Sequence, residues 1–179
     1  MNHLKFQVSI SLLATMLILL GPMHGQRKKF NPETARETLG SFIETDPELR
    51  LLVNEAFGYA VFPKVGKGGL GIGGAHGKGV VFEKDAALGG VTLTQVSIGF
   101  QLGGQSYAEL ILFENQEVFT DFLENGYTLS AQASAVALQS GASANAKYKE
   151  GVLVITKAHG GLMYEASIGG QKFAFKPFK

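Results

Sequence analysis

The sequence predicts an α+β fold that is rich in β-structure: a curved antiparallel sheet or barrel-like β domain with two short N-terminal helices and one inserted helix. Three observations predict it. The chain has 179 residues, 45% of them hydrophobic, which suits one domain with its own core. Apolar residues repeat at helical spacing in residues 31–56 and 115–125, whereas they alternate over much of the rest. The 24 glycines mark corners where a sheet bends or turns.

The absence of cysteine and the balance of charges exclude several classes of function. Without Cys the chain has no disulfide, no thiolate metal ligand, no cysteine nucleophile and no lipid-modified N-terminal cysteine. Its 16 Lys and Arg against 15 Asp and Glu give a formal net charge of +1. That charge gives no overall attraction to nucleic acid, so any electrostatic function depends on a local patch.

Residues 1–25 are predicted to be a signal peptide. The apolar run at 6–20 is shorter than the roughly 20 residues that a membrane-spanning helix needs. Cleavage is expected near Gly25, because signal peptidase sites use small residues. The cations at 27–29 oppose export, so an uncleaved membrane anchor is the alternative. We therefore expect an exported protein, periplasmic or extracellular, in which residues 26–179 form a single domain.

Two short helices are expected in a lead-in at 31–56. Asn31-Pro32-Glu33 combines a capping residue, a proline at the first helical position and an acid near the positive helix end. Asp46-Pro47-Glu48 repeats this start signal. Packing on a core is favoured over a membrane-surface role, because the polar sides of both segments carry glutamates rather than lysines.

The rest of the chain, residues 57–179, is expected to be rich in strands. Apolar alternation changes phase near Thr94-Gln95, which predicts a bulge there, and residues 107–113 are apolar on both faces, which predicts a central strand. A helix is inserted at 115–125. The alanines at 131–146 predict strands that turn at Gly141, with an alanine-rich helix as the alternative. Three closing strands are expected, at 152–158, 162–168 and 172–176.

The final segment, 172–179, alternates lysines with phenylalanines. This pattern suits an interfacial contact with a membrane. It equally suits an edge strand with buried Phe and protective Lys.

A glycine-rich segment at 58–104 contains matches to the dinucleotide motif G-x-G-x-x-G, for example at Gly66, Gly68 and Gly71. That motif needs a helix directly after the loop, but Val80-Val81-Phe82 predicts a strand. A phosphate-binding P-loop needs Ser or Thr after Gly-Lys, where this chain has Gly79. We therefore expect no nucleotide ligand, and the glycines themselves favour tight packing within a curved sheet.

Lysines accompany these glycines and suggest a binding site. Ammonium groups next to exposed backbone N–H groups can hold a phosphate head group, whereas a solvated surface is the alternative explanation. Phe62 is the candidate contact with the acyl boundary. The residues predicted to bind the head group are Lys64, Lys67, Gly68, Gly69 and Lys78.

Catalytic chemistry is not indicated. After cleavage two histidines remain, His76 and His159, and neither lies in a metal-ligand or nucleophile motif. Glu109 stands inside an apolar strand, so it is expected to be a structural buried carboxylate that is hydrogen-bonded, paired or protonated. We predict no catalytic residues, no metal and no cofactor.

Three motifs in order resemble the SYLF domain family, and its bacterial branch in particular. They are residues 57–65, the glycine run 68–79 with the valines that follow it, and residues 94–109. The similarity runs from about Leu51 to the C-terminus. It implies a β-rich domain with N-terminal helices, no known catalysis, and binding to phospholipids, including phosphoinositides in eukaryotic members. Eukaryotic members also use an amphipathic helix ahead of the domain, but that region is acidic here. Fungal relatives are linked to actin, which an exported protein would not meet.

The sequence therefore suggests a non-catalytic module of the cell envelope that binds anionic, phosphoinositide-like phospholipids or a membrane surface, with no nucleic acid or nucleotide partner. The alternative is a protein-interaction or envelope-scaffold module that uses its glycine-rich strands for edge pairing. A hydrolase is the third hypothesis.

Overall fold

The computed structural model describes residues 30–70, 72–98, 104–125, 128–129, 135–159 and 168–179. The predicted signal peptide at 1–25 lies outside these ranges, as does the predicted strand at 162–168 except for Ile168. Within the described ranges, no helix is both long enough and apolar enough to span a membrane.

Both lead-in helices are present: α1 is Pro32–Thr45 and α2 is Leu49–Glu55. Asn31 caps α1 as predicted, since its side chain accepts hydrogen bonds from the N–H groups of Glu33 (3.0 Å) and Thr34 (3.4 Å). The second start signal acts differently. Asp46 ends α1, and its Oδ2 accepts a hydrogen bond from the N–H of Ser143 at 2.8 Å. That carboxylate therefore holds a distant loop instead of capping α2. The N-cap residue of α2 is Glu48, whose side chain makes no capping hydrogen bond.

Seven strands form one sheet in the order β5-β6-β4-β1-β2-β3-β7. Neighbours are antiparallel except for β5 and β6, which are parallel, so the sheet is mixed rather than purely antiparallel. The central position predicted for residues 107–113 is confirmed, because β4 lies between β6 and β1. The strands are β1 (Gly58–Leu70), β2 (Ile72–Glu83), β3 (Ala86–Ile98), β4 (Gly104–Phe113), β5 (Val136–Ala137), β6 (Val152–Ala158) and β7 (Lys172–Pro177).

The α+β, β-rich class and the curvature of the sheet are confirmed, but the sheet is not closed into a barrel within the described residues. β5 and β7 are its two edges. The curvature is strong: the side chain of Gln171, just before β7, hydrogen-bonds Glu109 of β4, although three strands separate β7 from β4 in the sheet.

The inserted helix is confirmed as α3 (Gln116–Glu124), capped by Asn115 through the N–H of Val118 at 3.1 Å. Gly141 has a left-handed φ of 76° and forms the predicted turn. The alanine segment differs from both expectations in its described part. It contains the two-residue strand β5 and a 3-10 helix at Ala142–Asn145 rather than long strands or an α-helix.

The two faces of the sheet bury separate apolar clusters. We call the face that packs against α3 the inner face and the face covered by α1 and α2 the outer face. Buried residues of the inner face include Phe62, Val65, Ala75, Leu93, Tyr107, Phe119 and Phe173. Buried residues of the outer face and its helices include Ala35, Phe42, Leu49, Val61, Val80, Phe82 and Leu110.

The bulge predicted near Thr94-Gln95 is wrong. The β2–β3 register runs without a shift from Gly79↔Val91 to Ile72↔Ile98. Gln95 takes the inner position, where it is buried and its Nε2 donates to the carbonyl of Gly169 at 2.8 Å. Val96 consequently lies on the outer face, 78% exposed. The change in apolar phase therefore has another cause: within a regular strand, the buried amide of Gln95 is followed by the exposed Val96.

Candidate anion-binding face

Lys64 and Lys78 are the part of the predicted site that the structure brings together. They are direct partners in the antiparallel β1–β2 ladder, and both are exposed. Directly opposite residues project from the same face with Cβ atoms about 5 Å apart. The side chains of Lys64 and Lys78, each with an ammonium group, therefore project side by side from the outer face.

A bulge in β1 sets this orientation. The register with β2 shifts between Val61 and Lys64, and the register with β4 shifts between Phe62 and Val65. Pro63 lies at the bulge, where its missing N–H costs no ladder hydrogen bond. Phe62 and Val65 are three residues apart yet both belong to the inner cluster. The extra residue thus turns Lys64 outward.

Further basic residues share this side of the sheet. His76, Lys172 and Lys176 are exposed and lie on the outer face by strand alternation, since His76 pairs with Thr94 and Thr94 pairs with Lys172. We call Lys64, His76, Lys78, Lys172 and Lys176 the basic face. No carboxylate stands at an outer-face position of 64–68, 74–78, 92–96 or 172–176.

A cavity of about 160 Å³ lies beside Lys78. It separates the first turn of α1 from the sheet, and the ring of Phe30 lies over Gly90 where a side chain would otherwise sit. The basic face therefore adjoins a recess that is part apolar and part polar. Its lining is Phe30, Asn31, Thr34, Pro63, Lys78, Gly79 and Val80.

Lys67 does not join the other two lysines. It pairs with Ala75 and follows Lys64 by three positions in an unbroken register, so it lies on the inner side of the strand, on the same face as Val65. The ammonium groups of Lys64 and Lys67 are therefore directed to opposite faces of the sheet.

The glycine backbone does not offer the free donors that the sequence suggested. Gly68 pairs with Gly74 on one side and with Gly104 on the other, and Gly69 pairs with Gly73. Because Gly68 has a strand on each side, its N–H points into a ladder, whereas Gly69 is paired on the β2 side only among the described residues. The exposed lysine side chains are therefore the groups that this face offers for anion binding.

Phe62 is not available to an acyl chain in this structure. Its side chain is 0% exposed, and its ring packs on that of Phe173 with centroids 5.8 Å apart. Gly79 lies directly against this ring, since a Cβ there would stand 2.7 Å from the Phe62 Cδ1. The assignment as an acyl contact is withdrawn because the ring is part of the core.

Glu109 is completely buried and hydrogen-bonded, as its place in an apolar strand suggested. Gln171 Nε2 donates to its Oε2 at 3.1 Å and to the hydroxyl of Tyr107 at 3.2 Å. Burial raises the pKa of Glu109 to about 7, and the hydrogen bond from Gln171 offsets part of that rise. Burial and the neighbouring Glu109 also raise the pKa of Tyr107.

The two histidines are in different settings. The His159 Nε2 lies 2.9 Å from the carbonyl oxygen of Pro63, so it contacts the bulge that orients Lys64. His76 is exposed within the basic face. Among the residues that the structure describes, no group of three or more His, Cys, Asp and Glu side chains could hold a metal ion.

Sequence reasoning did not include His76, Lys172 and Lys176 in the head-group site. A signal for them was present in the sequence, because each of these three side chains alternates with buried residues along its strand. Placing them beside Lys78 required the register of three strands, β2, β3 and β7, which alternation within one strand does not give.

Part of this chain is similar to a known protein family. A family model described as Ysc84, Las17-binding protein actin regulator, matches residues 94–176. This match covers less than half of the chain and shows a similarity to the Ysc84 (SYLF) family over these residues. The resemblance to the SYLF domain is thus confirmed over these residues, which run from the end of β3 to Lys176 in β7 and include Glu109, Gln171 and Lys172.

One curated relative extends the similarity beyond the SYLF match. Beta cell expansion factor A of Aeromonas veronii is 29% identical over 155 residues. The alignment covers 80% of this chain but 59% of the relative. The chain therefore spans less than two thirds of that protein's length.

Proposed function

We propose that this protein binds anionic phospholipid head groups, of the phosphoinositide type, at the basic face and without catalysis. The observation that carries the proposal is the exposed Lys64–Lys78 pair, which has no carboxylate beside it at the outer-face positions of 64–68, 74–78, 92–96 and 172–176. Like charges directly opposite each other in a sheet repel. A phosphate bound between them removes that repulsion, and the hydroxyls of Thr92 and Thr94 lie at neighbouring positions of the same face.

The expected affinity is modest. Each lysine near an anionic surface contributes about 1 kcal/mol, so the pair gives about 2 kcal/mol, or roughly 30-fold in partitioning. Exposed charges are screened by salt, so binding weakens as ionic strength rises. The cavity beside Lys78 offers a place for part of the head group next to the ammonium.

Location and reaction class are part of the same proposal. We place the protein in the cell envelope, exported through residues 1–25, because a short apolar run there ends near a small residue. We assign it no enzymatic activity. These assignments rest on the sequence pattern and on the family resemblance.

Vesicle co-sedimentation tests the proposal. Wild-type protein, a K64E/K78E variant and a K67E variant are compared on anionic and on neutral vesicles, at low and at high salt. K67E is the matched control, because it reverses a lysine of the same hairpin that lies on the opposite face. We expect wild type and K67E to pellet with anionic vesicles at low salt, and K64E/K78E to stay in the supernatant. Equal pelleting with both vesicle types, or undiminished binding of K64E/K78E, would contradict the proposal.

The description of the matching family names a protein, Las17, as the partner of its members. This favours a second candidate: the basic face binds an acidic protein surface, as an interaction or scaffold module. Crosslinking in the envelope fraction separates the two. A partner captured by wild type and K67E but not by K64E/K78E, together with no vesicle binding by any of them, would favour the protein partner.

A further inference from the structure

Glu109 and Gln171 form a polar contact in the interior of the inner face. Glu109 is 0% exposed and so is Gln171. Gln171 Nε2 serves two acceptors, Glu109 Oε2 and the Tyr107 hydroxyl. Three buried oxygen atoms near this contact lack hydrogen-bond partners, namely Glu109 Oε1, Gln171 Oε1 and Thr156 Oγ1. Since buried polar atoms are nearly always satisfied, this cluster requires an explanation.

The surroundings of Glu109 contain no cation among the described residues. Its partners across the ladders are Phe62 on β1 and Thr156 on β6. Its same-face neighbours on β4 are Tyr107 and Ile111, and Gln171 approaches from the β7 side. Tyr107 is the titratable group in this set. When Glu109 is ionised, one amide hydrogen bond stabilises its carboxylate. That hydrogen bond does not offset the free-energy cost of burying the charge.

The contact also anchors the start of β7. Gln171 ends a turn at 168–171 in which Gly170 has a left-handed φ of 76°. Two side-chain amides tie this turn to the sheet interior: Gln171 to β4, and Gln95 of β3 to the carbonyl of Gly169. β7 itself pairs with β3 alone among the named strands, while Phe173 packs on Phe62 and Phe122 and Lys172 forms a bridge with Thr128. The turn at 168–171 adds the polar side-chain contacts that attach the start of β7 across the inner face.

We propose that Glu109 and Gln171 are a proton-dependent latch that holds β7 against the inner face. With a proton on Glu109, the carboxyl group is neutral and gains an O–H donor for an unpartnered oxygen such as Gln171 Oε1. Without the proton, the buried charge is relieved by hydration, and water enters most readily if the turn at 168–171 separates from β4. Proton loss thus opens the latch.

The pH range follows from the environment. Burial raises the pKa of Glu109 from its ordinary 4.5 to about 7 in the closed latch. In the open, hydrated latch the carboxyl returns toward its ordinary pKa. Opening therefore becomes more favourable as pH rises between these two values, by up to tenfold per pH unit, and levels off above the higher one.

Hydrogen exchange of individual amides tests the latch. Protection factors of residues 172–176 are measured from pH 5.5 to pH 7.5 by NMR, corrected for intrinsic exchange, and compared with those of β1. In wild type we expect β7 protection to fall at least tenfold and to stay below that of β1 at every pH, because the latch opens without global unfolding, whereas β1 protection follows the free energy of global unfolding. E109Q carries no titrating group at the contact, so its β7 protection should stay constant. E83Q, which changes an exposed glutamate at the end of β2, should behave as wild type.

Each outcome decides the question. β7 protection that is independent of pH in wild type, or that falls equally in E109Q, overturns the latch. If E109Q does not fold, Q171L takes its place. Without the amide, β7 should be weakly protected at both ends of the pH range, and wild-type protection at pH 5.5 in Q171L would overturn the proposal equally.

Discussion

Lys64 and Lys78 lie directly opposite each other on β1 and β2, both exposed on the same face. Like charges at directly opposed positions destabilise a sheet, so we expect this pair to lower the stability of the free protein.

Removing one charge of this pair should therefore stabilise the domain. We expect K64Q to raise the free energy of unfolding by about 0.2–1 kcal/mol at low ionic strength, with the gain shrinking as salt screens the repulsion. Urea unfolding in about 0.01 M and about 0.5 M salt measures the effect. K147Q, an exposed lysine outside the strands, is the control and should show no salt-dependent gain. A K64Q variant that is less stable than wild type at low salt would show that the pair does not repel.

Two glycines of the same hairpin should respond oppositely to alanine. A Cβ at Gly79 would stand 2.5 Å from the carbonyl oxygen of Val61 and 2.7 Å from the ring of Phe62. We expect G79A to cost about 1–3 kcal/mol through overpacking. A Cβ at Gly66 would meet nothing within 4 Å, so G66A should be neutral or stabilise by up to about 1 kcal/mol.

Urea unfolding of both variants distinguishes packing from a general need for glycine. Equal destabilisation by G79A and G66A would show that the glycines serve something other than close approach of the ring and the backbone.

Phe62 should prove to be a core residue. Its ring is fully buried against Phe173, so we expect F62A to lose about 3–5 kcal/mol of unfolding free energy. F178A removes a ring that is 38% exposed near the C-terminus and should cost under about 1 kcal/mol. Chemical denaturation in the absence of lipid measures both. A small loss in F62A, comparable to that in F178A, would contradict the packing described above.

Local signals in the sequence predicted much of this fold. Asn31 caps α1 as predicted, a helix forms at 116–124 within the predicted 115–125, and strands form at the predicted 107–113, 152–158 and 172–176. What failed depends on contacts far apart in sequence. Gln95 can be buried because the carbonyl oxygen of Gly169 accepts a hydrogen bond from its side-chain amide, and nothing near residue 95 in the sequence shows that partner.

The predicted site failed in part for a related reason. Lys64 and Lys67 lie on opposite faces because three positions separate them in an unbroken register, and the extra residue at the Pro63 bulge decides that Lys64 is the one that faces outward. A proline inside an apolar run was the available sign of that bulge. The pairing of Lys64 with Lys78, in contrast, depends on a hairpin register that residue types alone leave open.

Glu109 should make stability fall with rising pH. Its pKa is raised from 4.5 to about 7 on folding, so the folded state holds a proton that the unfolded chain has already released. Stability from this group is therefore full below about pH 4.5, declines up to about pH 7 and stays constant above it. The whole decline corresponds to about 3 kcal/mol. Unfolding free energies of wild type and E109Q, compared at each pH from 4.5 to 8, isolate this contribution from that of all other groups.

The prediction concerns the difference in unfolding free energy between wild type and E109Q. Relative to E109Q, wild type should lose stability steadily as pH rises through this window, whereas E83Q should track wild type because Glu83 is exposed. A gap between wild type and E109Q that keeps the same size at every pH would mean that Glu109 ionises normally in the folded protein. The carboxyl would then have to be hydrated or paired with a cation, and its single hydrogen bond to Gln171 would not describe its true surroundings.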